Sequence, residues 1–518
     1  MKHKKKLATY ILAPVILLVA YCAKLTIEHS ANVIYYKPIE SKILTLNPKN
    51  TRQRVDFMIA KTIFGQFVSF DGNGHVRPGV FKSWEIRDDG RVYDFEIDTS
   101  LMFHDNKKIS IDDVIFSFNY LASKDSLVSI YFSNIVGYDD FIGGKTRNIS
   151  GIQMFSQSKL QIKLKRRSYI FLSQLADPKI VMLPNKLRNM PEPIFFEKPI
   201  GVGFYKLEYM NADHSHLILS KHDMRNSGNT NIKKYDIRMY TKKQAIDLYK
   251  LNKLYDLEVY AIDEEEMRNL LDNTNLYSTS AFSINLLLLN GRKQIFNDLS
   301  VRRRLAASVR TKTVGTGCHR RIRPNTGLVP QGLLGWGLQN ESAASVMTIK
   351  INTRTNIIKR KELRILAYGQ APDNCIIDRL FSDIRKNTEF DPMLNYVDES
   401  TAMKMYLASD YDLLLDNLSV RGPEPFNIFT FFDPRSPHQL TFFNDGEISK
   451  RLNEIQGMLG SRRALAYSDL SDYIVRKKYY SIPLFTDIPI HIFSKQVSSK
   501  ESPAILQGNT PFEEVSYE

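Results

Sequence analysis

Cysteine is scarce in this chain: three residues among 518, at positions 22, 318 and 375. No paired C-x-x-C set supplies a metal site, and Cys318-His319 has no companions at ligand spacing. A G-x-S-x-G nucleophile elbow, an H-E-x-x-H zinc helix and a phosphate-cradling P-loop are all missing, and Gly201-Val202-Gly203 lacks the third glycine of a dinucleotide fingerprint. The ten histidines are scattered. The expectation is therefore no enzyme, no catalytic residue, no cofactor and no metal. Internal repeats and low-complexity tracts are also absent, which sets aside solenoids and fibres.

What is present describes a folded chain. Hydrophobic residues make up 43% and aromatics 11%, enough for a sizeable core, and the length suggests two to four domains. The net charge of +15 is spread along the chain as a compositional background and does not call for nucleic acid. Two basic clusters stand out, Lys163 to Arg167 and Arg302 to Arg323, read first as solvated faces and otherwise as a docking or anion-binding surface. At the N-terminus, Lys2, Lys4, Lys5 and Lys6 precede an uncharged, mostly apolar run from Leu7 to Ala23. That is the pattern of an export signal or an uncleaved anchor. Cys22 is a candidate lipidation site, although Tyr21 is bulky where processing favours a small residue. Export leaves Cys318 and Cys375, either as one disulfide or as two buried thiols.

The most informative stretch runs from Pro78 to Ser117. Val92, Asp94, Glu96 and Asp98 alternate with Tyr93, Phe95 and Ile97 after the turn-forming Asp88-Asp89-Gly90, so Trp84 to Ile97 is expected to be a hairpin. Ser110, followed by Asp112, Asp113 and the apolar Val114, Ile115, Phe118 and Leu121, predicts a helix start. His104-Asp105 reads as a structural turn, and Asn106 after it tolerates a left-handed backbone. Further strands are expected at Leu160 to Leu164, His216 to Ser220, Ile284 to Asn290, Val346 to Thr353, Lys361 to Tyr368 and Tyr411 to Leu415. A helix is expected at Ser300 to Val309.

These residues carry a resemblance. Ser83, Trp84, Asp89, Gly90, Tyr93, Phe95, Phe103, His104, Asp105, Asp112, Asp113, Val114, Phe116 and Ser117 match the signature of the extracellular solute-binding proteins that serve oligopeptide, dipeptide and nickel ABC importers. Gly201 to Lys206, Asn290 to Leu305 and Tyr479 to Phe485 are similar to later family landmarks in the same order. The resemblance implies an α/β, two-lobe periplasmic binding protein-like fold with an extra domain inserted in the first lobe. Transferred to this chain, residues 1–24 are the export signal or anchor. Residues 31–65, 181–265 and 484–518 form lobe one, 66–180 the inserted domain, and 266–483 lobe two.

The resemblance also implies the function: capture of a peptide or peptide-like solute in an interlobe cleft, and delivery to ABC importer permease subunits. The setting would be the periplasm or the outer face of the cytoplasmic membrane, and the state a monomer with membrane association through its N-terminus. The runner-up is a membrane-tethered scaffold or sensor with the same fold and no transport role. In peptide-binding relatives a strand lends its backbone to the peptide, and an acid after a tryptophan pairs with the free amine. Aligned on Pro425, Leu418 occupies the tryptophan position, Arg421 the amine-binding acid and Glu424 the second acid. The candidate ligand-binding residues are thus Asp416, Asn417, Leu418, Ser419 and Arg421. Arg421 reverses the expected charge, and Asp416 is the nearest acid to replace it.

Overall fold

The computed structural model describes residues 33–71, 73–222, 230–259, 270, 274–278, 282–318, 321–338, 360–369, 373–420, 422–488, 490–499 and 515–517. The apolar N-terminal run with Cys22, the expected strand Val346 to Thr353 and the candidate Arg421 lie outside the described residues. Among the described residues no helix is long and apolar enough to cross a membrane.

The expected hairpin forms, with strands Phe81–Arg87 and Val92–Ile97 pairing Trp84 opposite Phe95. Asp88, Asp89 and Gly90 all take positive φ in the turn, which short polar side chains and glycine tolerate best. Tyr93, Phe95 and Ile97 point inward and are buried. Ser110 caps the helix Ile111–Leu121 in a reciprocal capping box with Asp113. The hairpin belongs to a four-stranded sheet completed by Lys159–Lys163 and Ile152–Met154. His104 has a structural part, as expected: its backbone N–H donates to Gly201 O at 2.9 Å and its Nδ1 accepts from Gly201 N at 3.3 Å. A Cβ on Gly203 would lie 1.9 Å from Thr62 O, so this glycine permits close backbone contact rather than cradling a phosphate.

Two larger bodies carry the remaining sheets. In the first, Val33–Ile39, Ile232–Met239, His216–Lys221 and Tyr205–Met210 form one sheet in that order, covered by the helix Arg54–Phe64. A three-stranded sheet of Asp256–Val259, Ile490–Ser494 and Thr274–Ser278 extends it. The second body is a six-stranded sheet ordered Ile322–Pro324, Ser481–Asp487, Ser283–Leu289, Leu413–Ser419, Lys361–Ala367, Phe390–Tyr396. Ser283–Leu289 is central and nearly all buried, so it reads as a continuous apolar run. The helices Leu299–Ser308 and Asn374–Asn387 cover one face. Cys318 and Cys375 are joined as a disulfide with Cα atoms 5.8 Å apart, tying the N-terminus of the second helix to the loop after the first.

Among the described residues, strands of the two bodies follow one another directly at two places, Ser278 to Ser283 and Asp487 to Ile490. A division at 266 would leave Thr274–Ser278 apart from the strand it pairs with, and one at 484 would cut Ser481–Asp487. The strand expected at Tyr411 to Leu415 is instead Leu413–Ser419. Its apolar half is buried on both faces and dominates the sequence signal. Pairing continues into polar Asp416, Asn417 and Ser419 because the partner strand extends to Ser283. The four-stranded sheet and its capped helix pack on the second body. One apolar cluster contains both Phe67, Phe81 and Phe118 and Leu286, Leu414 and Phe429, and Tyr169 N donates to Gln456 O at 2.9 Å.

Candidate functional site

The strand Leu413–Ser419 has one edge fully paired and the other mostly open. Its ladder with Ser283–Leu289 covers all seven residues, whereas its parallel ladder with Lys361–Ala367 joins only Leu413 and Leu414. Among the described residues no strand pairs with that second edge from Leu415 to Ser419. Side chains occupy part of it. Asn417 N donates to Asp416 Oδ1 at 2.7 Å, and Asn427 Nδ2 donates to Ser419 O at 2.7 Å. An open edge of this kind is where an extended peptide adds as a further strand.

Of the five residues singled out in the sequence, Asp416, Asn417 and Ser419 lie along this edge. Asn417 is exposed, with Nδ2 3.4 Å from Ser283 Oγ, and Ser419 Oγ donates to Asn417 Oδ1 at 3.3 Å. Leu418 is 3% exposed and packs in the core, so its side chain is not offered to a ligand, the alternation of the strand having turned it inward. Arg421 lies outside the described residues. Glu424 pairs with Arg463 at 2.7 Å, both side chains largely buried. Burial raises the Glu424 carboxyl, while Arg463 and Tyr467 oppose the shift. The nearby cavity lined by Phe70, Tyr131, Gln174, Glu424 and Phe426 is about 30 Å³, water-sized and too small for a peptide.

The two bodies meet beside Asp416, through residues that sequence reasoning missed. Just before and within the first turn of the helix Arg54–Phe64 stand Arg52, Gln53 and Asp56. Arg52 Nη1 lies 3.0 Å from His438 Nε2, and Gln53 Nε2 donates to Glu399 at the start of the helix Glu399–Leu407. Tyr368 donates its hydroxyl to Asp416 Oδ2 at 3.2 Å. Asp56 is fully buried, with Oδ1 accepting from Leu44 N at 2.9 Å.

All three carboxylates at this junction are held above their ordinary range. Burial pushes Asp56 up to about 7; the Leu44 and Thr45 amides oppose it, Glu399 adds to it and Lys179 opposes it weakly. Burial raises Glu399 as well, against Gln53 and Arg52. Asp416 is raised by burial despite the Asn417 amide, the Tyr368 hydroxyl and Arg52, with Glu399 adding repulsion. Desolvation is the largest cause of all three shifts, and Glu399 adds like-charge repulsion to Asp56 and Asp416. In sequence, Asp56 passes for an ordinary acid in a helix's first turn, and only the fold brings Glu399 and Asp416 near it.

Comparison with known proteins agrees with this architecture. The model for bacterial extracellular solute-binding proteins, family 5 Middle, matches residues 75–365, more than half of the chain. The chain is 26% identical to Di/tripeptide-binding protein 1 of Pseudomonas aeruginosa over 157 residues, 28% of this chain and 29% of that protein. It is 27% identical to the dipeptide-binding protein of Escherichia coli over 165 residues, 29% and 30% of the two chains. The match thus spans about three tenths of the length of these relatives. Among solved structures, Haemophilus influenzae OppA in complex with the peptide RPPGFSPFR superposes with a TM-score of 0.83 at 16% identity, covering 94% of this chain and 99% of that one. DppA from Helicobacter pylori in complex with the peptide STSA gives 0.78 at 17% identity, covering 95% and 99%.

Proposed function

The chain belongs to the bacterial extracellular solute-binding proteins of family 5, and from that membership we propose that it captures a peptide or peptide-like solute between its two lobes and hands it to the permease of an ABC importer, without catalysis. The observation that carries this reading is the open edge of Leu413–Ser419, which stands at the junction of the lobes. A ligand laid along that edge would replace the side-chain contacts of Asp416 and Asn427 with ladder hydrogen bonds, and closure of the lobes would exclude water around it. The relatives and structural neighbours, named for dipeptides, di/tripeptides and oligopeptides, support the same solute class.

In this reading lobe one carries the sheets of Val33–Ile39 and Ile490–Ser494, lobe two the six-stranded sheet, and the two crossings serve as the hinge. Residues 66–180 are the inserted domain. Arg421, two residues beyond the strand, meets a carboxylate or a neutral acceptor of the ligand, which suits its planar fork. The protein works as a monomer outside the cytoplasmic membrane, delivered there by its N-terminal segment.

Thermal-shift and small-angle scattering titrations with di- to octapeptides test the capture reading. A bound peptide at a hundredfold excess over its dissociation constant should add about 2.7 kcal/mol of stability and reduce the radius of gyration. Absence of any shift across the whole panel would favour a tethered scaffold of the same fold.

A further inference from the structure

We propose that Asn427 is a positioning residue whose amide has two places: on Ser419 O at the open strand edge, and on the buried acceptors Gln174 Oε1 and Glu424 Oε2 in the adjoining cavity. A ligand N–H that takes Ser419 O sends the amide to the second place, which couples the ligand strand to the helix Phe171–Leu175 that carries Gln174. The inference rests on the capture reading and adds a residue that selects among ligands to it.

Three observations carry it. Val420 N donates to Phe282 O at 2.7 Å across the paired edge, so by the alternation of the strand Ser419 turns its N–H and C=O to the open side. Ser419 O is thus the last acceptor of Leu413–Ser419 that an added strand can reach, and Asn427 Nδ2 holds it at 2.7 Å. Second, Asn427 is 7% exposed and its own carbonyl accepts from Thr430 Oγ1 at 2.6 Å. Its amide therefore has no route to water when the Ser419 bond is broken, and without another acceptor it would be left as a costly buried donor. Third, such acceptors stand in the same wall. The cavity of about 30 Å³ is lined by Asn427, Gln174 and Glu424 together, and Gln174 Oε1 and Glu424 Oε2 are buried with no hydrogen bond among the described residues. Buried acceptors of that kind are rare in folded proteins. The other polar groups there are engaged: the Tyr131 hydroxyl donates to Asp177 Oδ2 at 3.0 Å, and Glu424 Oε1 pairs with Arg463.

The count of donors and acceptors gives the direction. An asparagine amide has two N–H groups, which match the two waiting oxygens. With the amide on Ser419 O, both of those oxygens lack a donor; with a ligand N–H on Ser419 O and the amide in the cavity, all of these groups are paired. The exchange adds hydrogen bonds instead of trading one for another. Only a ligand long enough to cover Ser419 sets it off, so Asn427 favours such ligands over those that stop at Asn417.

The experiment is calorimetric titration of the full chain with di- to pentapeptides of alanine, alongside denaturant unfolding without peptide. Gln174→Leu removes one waiting acceptor. It should leave unfolding stability unchanged or raised, because a buried acceptor without a donor gives way to an apolar group. The same variant should bind the tightest of the peptides about fivefold more weakly, equivalent to about 1 kcal/mol. A residue serving packing alone would lower both quantities or neither. In an Asn427→Ala background, where no amide arrives in the cavity, Gln174→Leu should leave affinity unaltered. Gln174→Met and Asn427→Ser give second readings should the first variants not fold. An affinity that Gln174→Leu does not change, or a loss that persists at full size beside Asn427→Ala, overturns the two-place amide while leaving peptide capture standing. Failure of every peptide to bind removes the capture reading and this inference with it.

Discussion

Arg54 and Asp56 are two residues apart on one helix, and each stands beside a buried carboxylate problem that the protein resolves in opposite ways. Arg54 faces Glu258 through both guanidinium nitrogens, one contact measuring 2.8 Å, and His491 Nε2 lies 3.3 Å from the same carboxylate. Burial alone would raise Glu258, yet Arg54 and His491 together hold it well below the usual range. For Asp56 the Leu44 and Thr45 amides and Lys179 do not offset burial, and the like-charged Glu399 adds to it. A buried acid with its partners in place is held ionised; one left short of them is held towards its neutral form.

The contrast is sharpened most by removing the Asp56 charge. The folded state holds this proton more tightly than the unfolded chain does, so Asp56 lowers stability as pH rises from about 4 through about 7, and the loss is complete above that. Asp56→Asn, which keeps an oxygen for the Leu44 amide, should remove a difference of about 4 kcal/mol between pH 4 and pH 8, three pKa units at about 1.4 kcal/mol each. Denaturant unfolding of both proteins across that range measures it, and identical slopes would contradict the assignment. Next in size is Arg54→Met, which should cost about 3 kcal/mol at pH 7 by leaving the buried Glu258 without its guanidinium partner, beside His491. Adding Glu258→Gln should recover most of that loss, and a double variant no better than the single one would show that Arg54 acts by packing instead. The smallest effect belongs to Glu399→Gln. Losing this like charge should move the Asp56 midpoint down by a fraction of a pH unit, read from the same unfolding series as a window that ends at lower pH and is shallower by the same fraction of about 1.4 kcal/mol.

Legibility in the sequence followed the range of the interactions. The hairpin from Phe81 to Ile97 and the helix capped by Ser110 are local: alternation, turn residues and a capping box act within a few positions, and the structure forms both as expected. The edge strand was harder. Leu413, Leu414 and Leu415 announce its buried half, while Asp416 to Ser419 look like a loop until Ser283–Leu289 is laid beside them. Aligning the stretch on Pro425 drew attention to Asp416, which does stand at the junction, and to Leu418, which the strand turns into the core. Arg52, Asp56 and Glu399 gave no signal. An acid in a first helical turn is commonplace, and more than three hundred positions separate Asp56 from its counterparts.

The sequence by itself determined the class of the molecule: an α/β chain resembling the solute-binding family, its hairpin, its caps and its buried central strand, because those depend on periodicity and short-range hydrogen bonding. Only the tertiary structure decided which charges lie together. Burial and distance set the cost of ionising a carboxylate, and neither is a property of the residue type. Packing thus made Glu258 a settled ion pair, and left Asp56, Glu399 and Asp416 raised by burial that their partners do not offset.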